Sequence, residues 1–372
     1  MNAPMNTREI ARRRIINSGL TGNRFVASDD VVRRHLAMQA QEYGPAMWSI
    51  GQRAKGLREA DVDAALTEGT IVRTHVLRPT WHFVARDDIR WLLALSGPRV
   101  RQGSAGRHRQ LGLDTRTLTR AEKVVTSALE SGNRLTRDEL GTEFDRRKLD
   151  RGGQRMPYLL MHCELVGLIG SGGRKGKHQT YALLDERVPA DGRRLDRDDA
   201  VIELVRRYLA GHGPATVKDL SWWSGLTMTD LRGALGALED EVTSDEVDGL
   251  TFWSAASERS RRPPSARGVH LLQTYDELVV GYTESRFHGD TSADLARQAW
   301  SDRTYPTGVF LLHGRVGGHW RRTIEAKRVQ VSIHTYGAVR GTDPRTLESA
   351  AARLGRFVGL PATTEISRFR GR

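Results

Sequence analysis

A single cysteine, Cys163, is all the thiol chemistry the sequence holds. It excludes an internal disulfide and every scaffold that depends on one. Leu159, Leu160, Leu165, Val166 and Leu168 surround it in sequence, so Cys163 reads as buried filler rather than a nucleophile. Also missing is any run of the roughly 18 apolar residues needed to span a bilayer. The opening stretch MNAPMNTREIARRRIIN has no apolar centre of the signal-peptide kind. A cytoplasmic location with no membrane partner is the expectation.

Lysine is scarce, with seven against 51 arginines. SGGRKGKHQT (171–180) contains glycine and lysine but lacks the spacing and terminal Lys–Ser/Thr pair of a phosphate-binding loop. The histidines gather no compact third and fourth ligand, and His162 beside Cys163 does not complete a set, so neither metal nor organic cofactor is expected.

What is present in excess is positive charge, a formal +13. Arginine offers a rigid multi-donor fork that suits phosphate oxygens and guanine edges, and such a surplus favours a polyanionic partner. Charge alone leaves open a merely basic protein or another anionic surface.

Along the chain, helices precede paired β runs three times. TREIARRRIIN (7–17) reads as a basic amphipathic helix. A second helix, capped by Ser28 or Asp29, runs through DVVRRHLAMQA to near Gln41, where Gly44 and Pro45 end it. Further helices are expected over 46–54 and 59–66. IVRTHVLR (71–78) and TWHFVAR (80–86), divided at Pro79, read as a strand pair.

The order recurs with helices at 87–96, 117–130 and 135–144, a flexible basic linker RQGSAGRHRQ (101–110), and a long apolar helix at 156–170. A glycine-rich turn carrying Arg174, Lys175 and Lys177 at its tip follows. It appears again with helices at 197–213 and 216–238, the latter broken at Gly225 as in a helix-turn-helix corner, and a hairpin in EVTSDEVDGLTFW. Residues 257–268 form a linker. VHLLQTYDELVVGY, GVFLLHGRVGGHWRRTIEA and KRVQVSIHTYG then read as strands separated by one helix, with a final helix near 346–358.

The expected fold is therefore α+β, three tandem winged helix-turn-helix modules at 1–86, 87–192 and 193–256, and a β-rich C-terminal domain at 269–372. A winged module can set a helix in the major groove and its hairpin on a phosphate track. Arg12, Arg13, Arg33, Arg34, Arg107, Arg109, Arg174, Lys175, Lys177 and Arg315 are the candidate DNA contacts. Most read as phosphate-positioning rather than base-reading groups. Solvated surface charge is the other reading of each.

LAMQAQEYGPAMW (36–48) sets Gln39 and Gln41 about one small residue in an otherwise apolar stretch. Residues two apart do not share a face of a regular helix, so the pair converges only if the helix loosens at Gly44–Pro45. Amide carbonyls can orient a nucleophilic water and amide NH₂ groups can orient other groups. An amide is a poor general base, so the bond to be broken must have an unusually good leaving group.

QAQEYGPAMW, RTHVLRPTWHFV, SWWSGLT, LLQTYDELVVGY and VFLLHGRVGGHW together resemble the AlkZ/YcaQ-like family of bacterial winged-helix DNA glycosylases, across nearly the whole chain. The resemblance implies three winged helices and a β-rich part around a C-shaped basic cleft. It implies a monofunctional glycosylase acting on duplex DNA that contains N7-alkylated purines, bulky adducts and interstrand crosslinks among them. It carries the catalytic motif onto Gln39 and Gln41, in the two-glutamine form.

His75, Arg78, His82 and Asp276 are candidates for active-site support, with structural hydrogen bonding or fold support as the other reading of each. Several modules in one chain make a monomer the expectation. A non-catalytic winged-helix regulator or damage-recognition protein is the alternative function.

Overall fold

A computed structural model describes residues 5–22, 25–188, 193–258, 268–290, 308–336 and 344–369. Most of the linker expected at 257–268 lies outside them.

The first elements are α1 (Thr7–Asn17), α2 (Ser28–His35), β1 (Ala37–Gln39), α3 (Tyr43–Gly51) and α4 (Glu59–Glu68). The helix expected to reach Gln41 stops at His35, because Leu36 takes φ 65° and ψ −50°. Leu36, Ala37, Met38, Gln39 and Ala40 are all buried. An amphipathic helix cannot hide five consecutive residues on one face, whereas an extended segment covered on both sides can.

The chain continues through β2 (Ile71–His75), β3 (Trp81–Ala85), α5 (Ile89–Gln110), α6 (Thr115–Leu129), β4 (Leu135–Thr136), α7 (Arg137–Arg146), α8 (Arg155–Leu165), β5 (Ile169–Lys175) and β6 (His178–Leu183). Helix α5 absorbs the stretch expected to be a flexible linker. It passes through Pro98, and Val100 and His108 are buried along its second half. Packing there offsets the hydrogen bond that proline removes. The apolar helix expected over 156–170 ends at Leu165, where Gly167 at φ 74° turns the chain into β5.

Next come α9 (Arg197–His212), α10 (Val217–Ser224), α11 (Met228–Ala237), β7 (Val242–Val247), β8 (Leu250–Ala255), β9 (Val269–Leu272), α12 (Glu277–Val280), β10 (Gly308–Leu312), β11 (Arg315–Ile324), β12 (Val329–Thr335), α13 (Pro344–Val358) and β13 (Ala362–Arg368). Gly225 at φ 73° makes the corner between α10 and α11, and the Thr227 side chain accepts the Asp230 N–H at 3.1 Å to cap α11. VHLLQTYDELVVGY is not one strand. The Asp276 side chain accepts the Leu278 N–H at 3.1 Å and starts a short helix instead.

These elements form two compact units. Residues 1–62, 202–223 and 227–372 make one, and residues 63–201 with 224–226 make the other. The first unit holds a five-stranded sheet of order β13-β12-β11-β10-β9, antiparallel except where β12 runs parallel to β13. Helix α13 buries Leu347, Ala351, Leu354 and Phe357. Phe357 meets Trp48 of α3 at 5.4 Å between ring centroids, and Gly51 leaves the space its ring fills.

In the second unit α6, α7 and α8 surround Val125, Leu129, Leu140, Phe144, Leu159, Leu160 and Cys163. Strands β5 and β6 pair beside β4, and β2 pairs with β3. Thr136 and Glu139 form a reciprocal capping box at the start of α7. Cys163 is the buried filler its neighbours imply, and burial pushes its thiol well above the ordinary range.

Candidate active site

Gln39 ends β1 and is 7% exposed, while Gln41 is exposed two residues later. On an extended chain, residues two apart face the same side. The change from helix to strand therefore removes the obstacle to convergence that a helix would impose. The Gln39 side-chain carbonyl accepts the Gln41 N–H at 3.3 Å, which ties the two residues together.

Two neighbouring carboxylates at the start of α12 hold the two ends of this segment. The Gln39 N–H donates to Glu277 Oε1 at 2.6 Å. Glu277 Oε2 accepts the Trp223 indole N–H at 2.9 Å and lies 3.1 Å from His212 Nε2. Trp223 is a buried anchor. Asp276 accepts from both terminal guanidinium nitrogens of Arg53 at 2.7 Å, and from Ser49 Oγ and Gln52 Nε2 at 2.8 and 3.3 Å. Asp276 thus fastens the far end of α3, and its carboxylate is occupied by the fold. Trp48 adds a hydrogen bond to the Leu271 carbonyl at 2.8 Å.

Arg322 of β11 reaches the first turn of α3. A Cβ on Gly44 would lie 3.2 Å from its NH2. Among the described residues its buried NH1 meets no hydrogen-bond partner, and burial lowers the pKa of the guanidinium. No side chain expected from the sequence to touch DNA has this combination. The signal was its place in WRRTIEA, indistinguishable there from Arg321.

The second unit holds the histidine cluster. His75 Nδ1 hydrogen bonds the buried Glu164 carboxylate, whose other oxygen accepts the Trp81 indole N–H at 3.1 Å. Arg73 lies over the Trp81 ring at 4.3 Å and donates to Gln179 at 2.6 Å. His82 is fully buried, with Nδ1 2.9 Å from the Thr80 carbonyl. Arg78 is half-buried at the turn before Pro79. Glu164, the acidic centre of this group, sits inside an apolar helical run, where sequence gave no reason to single it out.

The basic candidates divide by partner. Arg12 and Arg13 both meet Glu9 at 2.8 Å, Arg33 meets Asp29, Arg174 meets Asp63 at 2.8 Å, and Lys175 meets Glu139 at 2.5 Å. Glu139 is pushed down to about 2 by the Lys175 hydrogen bond first and the Thr136 bonds after it. Arg34 donates to the Asn17 carbonyl at 3.1 Å, and Arg107 donates to Gln110 at 2.8 Å and to Gln154. Arg12 and Arg315 line one groove with Arg8, His288 and His313. Arg109 and Lys177 are exposed and, among the described residues, carry no ion pair.

Among the described residues no three His, Cys, Asp or Glu side chains are arranged to hold a metal ion, and no helix is long and apolar enough to cross a membrane.

A family model for DNA glycosylases of the AlkZ-like type matches residues 32–357. Over 272 residues the chain is 26% identical to an interstrand DNA cross-link repair glycosylase of Streptomyces sahachiroi, spanning 68% of this chain and 71% of that protein. The solved structure of Streptomyces sahachiroi DNA glycosylase AlkZ is similar with a TM-score of 0.78, covering 98% of this chain and all of that one at 23% identity. At that identity the likeness speaks for a shared mixed α+β fold.

Proposed function

The chain belongs to the AlkZ-like DNA glycosylase family, and on that footing we propose that it hydrolyses the N-glycosidic bond of N7-alkylated purines in duplex DNA, with Gln39 and Gln41 positioning the water. The observation that carries this reading is the hydrogen bond from the Gln41 N–H to the Gln39 side-chain carbonyl, on a segment anchored by Glu277. It ties the Gln39 side-chain amide to the Gln41 backbone, while the neighbouring Glu277 carboxylate is taken up by the Gln39 backbone N–H.

N7 alkylation gives the purine a positive charge, so the base departs neutral and the electron deficit falls on the sugar. The chemical demand is then small. Water must be held against the anomeric carbon as it becomes an oxocarbenium ion, and amide carbonyls do this by orienting the water protons away from the sugar. Their dipoles also favour the developing positive charge. The proton released on hydrolysis passes to solvent. No covalent enzyme intermediate is formed, which makes the enzyme monofunctional.

The relative named for cross-link repair supports extending the substrate range to bulky adducts and interstrand crosslinks. A tethered base cannot easily be flipped out of the stack, so groove-side access to the sugar suits such lesions. We assign three winged helix-turn-helix modules at 1–86, 87–192 and 193–256, with the β-rich domain at 269–372, to a C-shaped basic cleft that holds the duplex. Arg109 and Lys177, which carry no ion pair among the described residues, and Arg322 are assigned as phosphate contacts. His75, Arg78 and His82 are assigned support roles in the second unit. The enzyme acts as a monomer without a cofactor.

The test is release of N7-methylguanine from a duplex oligonucleotide. Wild-type enzyme liberates the base and leaves an abasic site, and Gln39→Ala and Gln41→Ala lose turnover while keeping duplex binding. Wild-type rates in the double variant would end the assignment.

A further inference from the structure

We propose that Glu277 is the positioning residue for Gln39, acting through the backbone N–H rather than by touching DNA. This rests on the catalytic reading of Gln39 above. Glu277 is 1% exposed, so its carboxylate cannot meet substrate. It is nevertheless one hydrogen bond of 2.6 Å from the backbone of the residue whose side chain does.

The arrangement around Glu277 fixes where its oxygens lie. Oε2 is held by the Trp223 indole N–H at 2.9 Å and by His212 Nε2 at 3.1 Å. The His212 ring is itself stacked on Tyr208 at 4.6 Å with an interplanar angle of 6°, and edges against His35 at 5.1 Å. Tyr208 is pinned by a hydrogen bond to the Gly281 carbonyl at 2.8 Å. Trp223 and His212, the latter backed by Tyr208, thus hold one oxygen of Glu277 while the other accepts the Gln39 N–H.

Strand β1 is three residues long, and Gln39 is its last residue. The Gln39 N–H goes to the Glu277 carboxylate. A charge-assisted bond is shorter and roughly twice as strong as a neutral one. Here it sets the height of the Gln39 peptide, and with it the origin of the side chain that accepts the Gln41 N–H. Asp276, the neighbouring carboxylate, has a different task. Its partners Ser49, Gln52 and Arg53 lie at and just beyond the end of α3, so it fastens the segment's far end.

A double-variant cycle tests this on the full-length enzyme with N7-methylguanine duplex under single-turnover conditions. Glu277→Ala in the wild-type background lowers the saturating rate at least about tenfold with the half-saturating enzyme concentration nearly unchanged. In the Gln39→Ala background the same change costs little, because the side chain it positions is gone.

If Glu277→Ala fails to fold, Glu277→Gln completes the cycle. The isostere must turn its NH₂ toward either the Gln39 N–H or the Trp223 N–H, so these donors cannot satisfy it as they satisfy a carboxylate. Equal fractional losses in both backgrounds, a raised half-saturating concentration at an unchanged saturating rate, or no loss at all overturns the positioning role. A Gln39→Ala enzyme with the wild-type rate overturns the catalytic reading instead, so the two failures are distinct.

Discussion

Both oxygens of the Asp276 carboxylate meet the Arg53 guanidinium at 2.7 Å, and neither side chain reaches solvent. Breaking one half of such a pair strands the other as a buried charge. Arg53→Ala or Asp276→Ala should each cost about 3–5 kcal/mol of stability. Urea denaturation followed by circular dichroism checks it, and a shift no larger than that of an exposed ion pair contradicts it. Replacing both residues together with apolar ones should recover part of the loss, since the pair's worth lies in compensation rather than net attraction.

The glutamines should affect rate and not grip. Each of Gln39→Ala and Gln41→Ala should lower the saturating rate of N7-methylguanine release roughly 10²-fold, the scale of losing a well-oriented reacting group. Fluorescence anisotropy on the same duplex should show affinity little changed. The two losses should not multiply in the double variant, because the residues act on one water.

Arg322, Arg109 and Lys177 should report on phosphates. Each alanine substitution should reduce the slope of log affinity against log salt by about 0.9 for every phosphate contact removed. Arg12, Arg33 and Lys175 already hold carboxylates, so their substitutions should change the slope less. Affinities measured at four or more salt concentrations decide it, and equal slopes for Arg322→Ala and wild type remove Arg322 from the interface.

His319 gives a pH-dependent prediction. It stacks on His334 at 4.7 Å and its Nδ1 lies 3.1 Å from the Tyr336 hydroxyl. Burial, aided by His334 and Arg321, pushes its pKa down to about 4. An unfolded histidine titrates near ~6.5. Between these values the unfolded chain binds a proton that the folded chain refuses, so stability falls as pH drops through the window. His319→Asn should flatten that slope. The imidazole titration followed by NMR should have its midpoint near the folded value, and a midpoint at the unperturbed one refutes the placement.

Element types were legible in the sequence where periodicity and local chemistry agreed. The Gly225 corner was readable because residue type and backbone demand coincide at one position. Helix α5 was misread because proline and glycine at 97–98 look like an ending. They are tolerated there by close packing, and a Cβ on Gly97 would lie 2.5 Å from the Leu165 carbonyl.

The glutamine pair was visible as a motif, but its backbone was not. Leu36 takes a positive φ that no local signal in leucine announces, and it is fully buried. What Glu277 and Arg322 touch was hidden for the same reason. Each meets a residue more than 200 positions away, and single-sequence pattern carries no trace of those contacts.

The bond between Gln39 and Glu277 joins positions 238 residues apart. A ribosome must therefore add 238 residues after Gln39 before the acceptor for that N–H exists, however early the amino-terminal helices form. Nascent chains carry both glutamines long before they carry what steadies them. The positioning that Glu277 gives Gln39 is therefore one of the last features of the site to be completed during synthesis.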